Sequence, residues 1–229
     1  IFCILGIVVS IKNRQNFVEI IQLKPNKKNT TYFTLMSLIG GLTFFIIFSL
    51  NIYFGLIELD SKRNVLLIFK NIPNELCIAI FEEFLLRVFV FIGAISLIRN
   101  KIFGLLVSSI IFCLLHNTTD ILTLLSYFIA GLMYGIAFLK FKTVWAPIGL
   151  HFAWNYFQGS IFGFPVSGQE SLGYLVTEVS NSKFWNGGIN GPEDSYIGVI
   201  FRILIIILTF LISHKMVKKN SDPNFLVLK

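Results

Sequence analysis

The sequence predicts an all-α fold, a polytopic transmembrane helix bundle of about seven to eight spans. Three observations predict it. The 229 residues are 55% hydrophobic and 14% charged, with a mean hydropathy of +0.77; a soluble domain carries roughly a quarter charged residues. Apolar runs of spanning length alternate with short polar connectors. The connectors on alternate sides carry unequal numbers of Lys and Arg, as membrane topology requires.

Taken in order, the expected spans are 1–11, 32–57, 75–98, 102–116, 121–139, 144–164 and 196–213. The first reads as the end of a span whose start is missing, because the chain begins at Ile1 rather than Met. The connector 12–31 holds Lys12, Arg14, Lys24, Lys27 and Lys28, and the later connectors on that side hold Arg99, Lys101, Lys140 and Lys142. The C-terminal tail adds Lys215, Lys218, Lys219 and Lys229. The opposite side carries Lys62, Arg63, Lys70 and Lys183. The bias places 12–31 and the C-terminus in the cytoplasm. Segment 165–195, rich in Gly, Ser and Asn, reads as the longest loop. No repeat divides the chain, so 1–229 is expected to be a single membrane domain.

The net charge of +7 belongs to these loops. No basic face in polar surroundings exists for nucleic acid. Cys3, Cys77 and Cys113 sit in apolar stretches without paired spacing and read as small core residues. The Ile-, Phe-, Lys- and Asn-rich composition suits a bacterial cell-membrane protein, and the oligomeric state is not legible.

A few charges do not belong to a loop. The stretch AIFEEFLLRVFVF places Glu82, Glu83 and Arg87 inside an apolar run, and Arg202 lies in the last span. Each costs about 2.5–3.5 kcal/mol on insertion scales, so it pairs, faces a cavity or works. Glu83 and Arg87, four apart, share a helix face and can pair. Glu82 lies about 100° round the helix from Glu83 and has no partner there. A buried ion pair with a spare glutamate turned to water would be the structural reading. His116 follows Phe112 by one turn, and His151 and Asn155 share a face of another span. Singly these would be a core histidine and an interhelical amide. His214, in the basic tail, reads as solvated.

Together the residues resemble the CPBP family of intramembrane proteases, also called the CAAX-protease/bacteriocin-processing or Abi family. Its motifs EExxxR, FxxxH and HxxxN read here as Glu82-Glu83-Phe-Leu-Leu-Arg87, Phe112-Cys-Leu-Leu-His116 and His151-Phe-Ala-Trp-Asn155. The resemblance covers about 75–160, on three separate spans. The stretch WNGGINGPED, from Trp185 to Asp194, also looks like a loop common in bacterial members.

The resemblance implies hydrolysis of a peptide bond in a membrane-associated peptide or protein. Glu82 would activate water with help from His116. Glu83 and Arg87 would hold the helix and the local field, and His151 and Asn155 would stabilise the oxyanion. His116 and His151 with Glu82 also suit Zn²⁺ with an open position for water; metal-dependent and glutamate-dependent mechanisms both stay open. A non-catalytic immunity or scaffold protein of the same fold, an ion or proton carrier, and purely structural polar contacts are the alternatives. One expectation runs against assembly: straight spans would put Glu82 and His116 toward the outer side and His151 nearer the inner side.

Overall fold

The computed structural model describes residues 21–179 and 182–217, with Ile4, Ile7 and Val8 near the start. Most of the expected span 1–11, with Cys3, Lys12, Arg14, Lys218, Lys219 and Lys229, lies outside the described residues.

Helix α1 (Lys27–Tyr53) starts at Asn26, whose side-chain oxygen accepts the Asn29 N–H at 2.9 Å. Strand β1 (Ile57–Lys62) and helix α2 (Leu66–Glu83) follow. A π-helical segment, Phe84–Val90, carries α2 into α3 (Phe91–Ile98), which ends on Arg99 in the left-handed conformation. Helix α4 (Lys101–Leu115) is capped by Asn100, and α5 (Ile121–Phe141) by Asp120. Helix α6 (Trp145–Asn155) passes into a second π-helical segment, Tyr156–Ile161. Beyond it come β2 (Leu175–Val179), the single turn α7 (Lys183–Asn186), two 3₁₀ turns and α8 (Tyr196–Met216), capped by Ser195.

The helices fall close to the expected spans, and the fold is mostly helical. One feature is added to the expected all-α bundle: β1 and β2 pair antiparallel, with Ile57 opposite Val179 and Lys62 opposite Leu175. The strands are about 110 residues apart in sequence and carry weak alternation, so neither is legible alone. Segment 165–195 is therefore no plain loop; it supplies β2 and the turns that close one end of the bundle. Among the described residues, three helices, α1, α5 and α8, are long and apolar enough to cross a membrane by themselves. The apolar side chains they leave exposed, such as Leu42 and Phe45 on α1 and Ile203, Ile207 and Leu211 on α8, form a lipid-compatible surface.

Small residues set the helix packing that matters for the site. A Cβ on Gly149 of α6 would come within 2.4 Å of the Phe33 carbonyl oxygen of α1, and one on Gly40 within 3.1 Å of the Leu150 carbonyl oxygen. The backbones meet so closely that Ser37 on α1 donates to the Gly149 carbonyl at 3.0 Å. This fixes α6, and with it His151. Likewise a Cβ on Gly131 of α5 would sit 2.7 Å from Ser109 Cα on α4.

Gly149→Ala should therefore destabilise the protein by about 1–3 kcal/mol through overpacking against backbone; thermal unfolding in detergent would read it, and an unchanged midpoint would contradict the close α1–α6 contact. A second expectation concerns acid. Lys183 Nζ lies 2.6 Å from Asp120, and with the Thr123 backbone and hydroxyl it holds the Asp120 carboxyl down at about 2. A lowered carboxyl stabilises the fold above its ordinary value and loses that contribution as pH falls from about 4 toward 2. Because the pair is exposed, Lys183→Met should reduce this acid sensitivity at low salt and change little at high salt.

Candidate active site

Helix α2 delivers Glu82 and Glu83 at its last turn, where the π-helical segment begins. Such widened turns relax the strict helical register and recur at functional positions. Glu83 is fully buried and used at both oxygens. Arg87 Nε donates to its Oε2 at 2.8 Å, and His151 Nδ1 approaches Oε1 at 3.0 Å. Arg87 is equally buried, reaches the Ser108 hydroxyl of α4 at 3.1 Å and lies 5.9 Å from the Phe112 ring centroid. Gly135 on α5 lets Leu105 of α4 pack close by: a Cβ there would sit 2.4 Å from the Leu105 Cδ1. The expected Glu83–Arg87 pair is present, and it extends across helices to His151.

Glu82 turns the other way. Its side chain keeps 31% of its surface open, and its Oε2 lies 3.9 Å from His151 Nε2. That is too long for a direct hydrogen bond and suits an intervening water. His151 thus stands between the two glutamates, with its ring stacked on Tyr134 at 4.5 Å and 12°.

His116 ends α4. Its Nδ1 lies 2.8 Å from the Phe112 carbonyl oxygen, which can only accept, so Nδ1 carries a proton. The Phe112 ring packs at 4.7 Å and Tyr127 stacks on the imidazole at 3.9 Å. Glu82, His116, His151 and Asn155 all line one cavity, with ≈ 20 Å³ open to a water-sized sphere. That volume holds about one water molecule.

The structure therefore overturns the expectation that His151 lies at a different depth from Glu82. Helix α6 begins only at Trp145, which puts His151 two turns in, and the continuous run from α2 through the π-helical segment to α3 sets Glu82 deep in its own run rather than near one end. The sequence-predicted residues Glu82, Glu83, Arg87, His116, His151 and Asn155 converge. Arg202, noted as an in-span charge, lies across the same cavity, whereas His214 sits in the last turn of α8, outside the group that lines it.

Sequence reasoning missed the groups that answer Arg202. Glu193, buried in the 3₁₀ turn Pro192–Asp194, faces Arg202 Nη2 at 3.4 Å. Its carboxylate also accepts the Tyr127 hydroxyl at 3.4 Å and the backbone N–H of Ser167. Its carbonyl accepts from Arg202 at 3.1 Å and from the Ser126 hydroxyl. Arg202 packs 4.8 Å from the Trp154 ring centroid. Burial raises the Glu193 carboxyl, against the opposing pull of Arg202, and pushes Asp194 up to about 6. The available signal was Arg202 itself: an unpaired cation in a span demands an acid, and the Pro-Glu-Asp run ahead of α8 supplies it. Glu75, one further carboxylate on α2 and facing the Ser160 hydroxyl at 3.4 Å, was also missed.

The donor types suit Zn²⁺, and both imidazoles keep Nδ1 engaged and Nε2 open, as zinc-binding histidines do. Yet among the described residues no three His, Cys, Asp or Glu side chains converge at metal-binding spacing. As arranged, they do not form a zinc shell, and no chemical step is taken through a metal.

Residues 64–157 match the family described as Rce1-like, type II CAAX prenyl endopeptidase Rce1-like. The match is consistent with the CPBP and CAAX-protease resemblance and covers all three motifs. No curated protein and no solved structure matches the chain.

The Glu83 network yields a stability expectation. Arg87→Ala would leave a buried carboxylate with only a histidine partner, and should cost about 3–5 kcal/mol. The double variant Glu83→Gln/Arg87→Met should recover much of that loss in thermal unfolding. A double variant no more stable than Arg87→Ala would contradict the pairing.

Proposed function

We propose, from the Rce1-like domain over residues 64–157, that this protein is an intramembrane endopeptidase that hydrolyses a membrane-associated peptide with water activated by Glu82. The observation that carries the reading is the single-water cavity bounded by Glu82, His116, His151 and Asn155.

The chemistry follows from these positions. Glu82, open to the cavity and without an ion-pair partner on its own helix, takes a proton from the water. The water oxygen forms a bond to the scissile carbonyl carbon, and the carbonyl oxygen becomes the oxyanion. His116, fixed by the Phe112 carbonyl and by Tyr127, orients the water. The Asn155 amide supplies a donor to the oxyanion, and His151, whose Nδ1–H is held by Glu83, supplies a second through Nε2–H as the imidazolium between the two glutamates. The C–N bond then breaks as Glu82 returns its proton to the leaving nitrogen. Glu83 and Arg87 touch no substrate; they hold His151 in place. A membrane-associated substrate fits a catalytic group set among apolar helices, and the excess of Lys and Arg in the other connectors supports an outward-facing β1–β2 end.

The alternatives read less well. A proton carrier needs a continuous polar path across the bilayer, while α1 beyond its first residues, Lys27 to Thr31, is polar only in isolated residues. An immunity or scaffold role has no use for a water cavity with a carboxylate that has no partner on its own helix.

The test is hydrolysis by the purified protein in liposomes carrying lipid-anchored, internally quenched peptides of mixed sequence. Glu82→Gln should lower turnover by about a thousandfold or more, and His116→Ala by about a hundredfold. Glu82→Gln should leave the melting midpoint nearly unchanged. Equal hydrolysis by wild type and Glu82→Gln would sink the reading. Activity that survives exhaustive chelation would support glutamate-activated water alone, whereas loss restored by stoichiometric zinc would bring a metal into the mechanism.

A further inference from the structure

We propose that the cleft beside β2 binds the extended, hydrophilic part of the peptide substrate, and that the Val166–Gln169 turn is a movable wall between this cleft and the catalytic cavity. The inference rests on the proteolytic reading above.

A cavity with ≈ 20 Å³ open to water cannot admit a peptide, so part of its lining moves before hydrolysis. Most of that lining is helical. Glu82, His116 and His151 sit on α2, at the end of α4 and on α6, each packed against neighbouring helices. The exceptions are Ser167 and Glu193, and Glu193 is held by Arg202 and Tyr127 in the 3₁₀ turn just ahead of α8, which leaves Ser167 as the one lining residue on a surface turn. Val166 and Gln169 exchange two backbone hydrogen bonds at 2.9 Å, and Ser167 and Gly168 both have positive φ, 50° and 75°. That is a two-residue hairpin turn of the primed type. Its tip is exposed. Its tie to the site is the Ser167 N–H donated to Glu193, itself braced by Arg202 and Tyr127.

The turn has a different space on each side. Ser167 lines the catalytic cavity, and Gly168 lines a cleft of ≈ 550 Å³. That volume is in the range of ligand pockets. The cleft runs along β2 at Val176 and Thr177, with Arg63 and Glu170 among its walls. Its opposite charges give no preference for an acidic or basic ligand, while its strand and glycine backbone suit an extended chain read through main-chain hydrogen bonds. A second groove of ≈ 480 Å³, lined by Leu50, Phe54 and Phe201 among other apolar residues, offers a peptide backbone almost no polar partner.

The first experiment places a photoreactive phenylalanine analogue at Glu170 in Glu82→Gln protein, in liposomes bearing the lipid-anchored peptides. Cross-linking to the hydrophilic segment of the peptide is expected, with none from the same probe at lipid-facing Leu211. The second locks the turn. A Cβ at Gly168 would lie 3.2 Å from the Asn190 side-chain oxygen, so Gly168→Cys with Asn190→Cys brings two thiols close together; because φ at 168 is positive and any substitution there is strained, the reduced double variant is the reference. In a background with Cys3, Cys77 and Cys113 replaced, the oxidised pair should lose at least about tenfold in kcat/KM and regain it on reduction. Glu82-dependent hydrolysis with no cross-link at Glu170, or with full activity in the oxidised pair, overturns the cleft and its wall alone. Hydrolysis that is absent or independent of Glu82 overturns the proteolytic reading itself.

Discussion

A carboxylate buried among apolar helices must be neutralised where it stands, and the arrangement of this protein's centre follows from how Glu83 meets that demand. One oxygen takes Arg87 from the same helix; the other takes His151 from a different one. The first contact makes the charge tolerable in α2. The second ties α2 to α6, and it consumes Nδ1 of His151, so that Nε2 is left to face Glu82. A single buried group thus fixes both the position and the ring orientation of a candidate catalytic histidine. Replacing the pair by apolar groups could cost little in stability, because buried ion pairs often roughly break even. Its value lies in geometry.

Aromatic rings complete what the charges begin. Tyr134 stacks on His151 and Tyr127 on His116, so both imidazoles are clamped on a face and pinned at Nδ1. The Tyr127 hydroxyl passes the constraint on to Glu193 and Arg202. Two buried acid–base clusters therefore face one small cavity. One is built on α2 and α6, the other on α5, α8 and the turn that precedes α8. The single water volume between them is a consequence of this close clamping, and so is the need for the surface turn to move if a peptide is to enter.

The close helix packing serves the same end. Gly149 and Gly40 let α1 and α6 approach backbone to backbone, and Gly131 does so for α4 and α5. In a lipid environment, where apolar side chains gain little by leaving hydrocarbon, such contacts and interhelical hydrogen bonds carry the association. They set where His151 and His116 come to lie relative to Glu82.

The sequence by itself determined the helical character, the positions of most helices and the motif residues, because span length and in-span charge are local properties that hydropathy and helical spacing expose. The Glu83–Arg87 pair was legible for the same reason: four residues on one helix must be neighbours. Only the tertiary structure decided the rest. The β1–β2 pairing joins Ile57 to Val179 across most of the chain, and no local pattern encodes that register. Glu193 as partner of Arg202 depends on a turn folding back over α5. The depth of His151 beside Glu82 depends on where α6 begins and on how far the run from α2 through the π-helical segment to α3 extends, and hydropathy does not record either. Contacts between segments remote in sequence are fixed by packing, and packing is where this site is made.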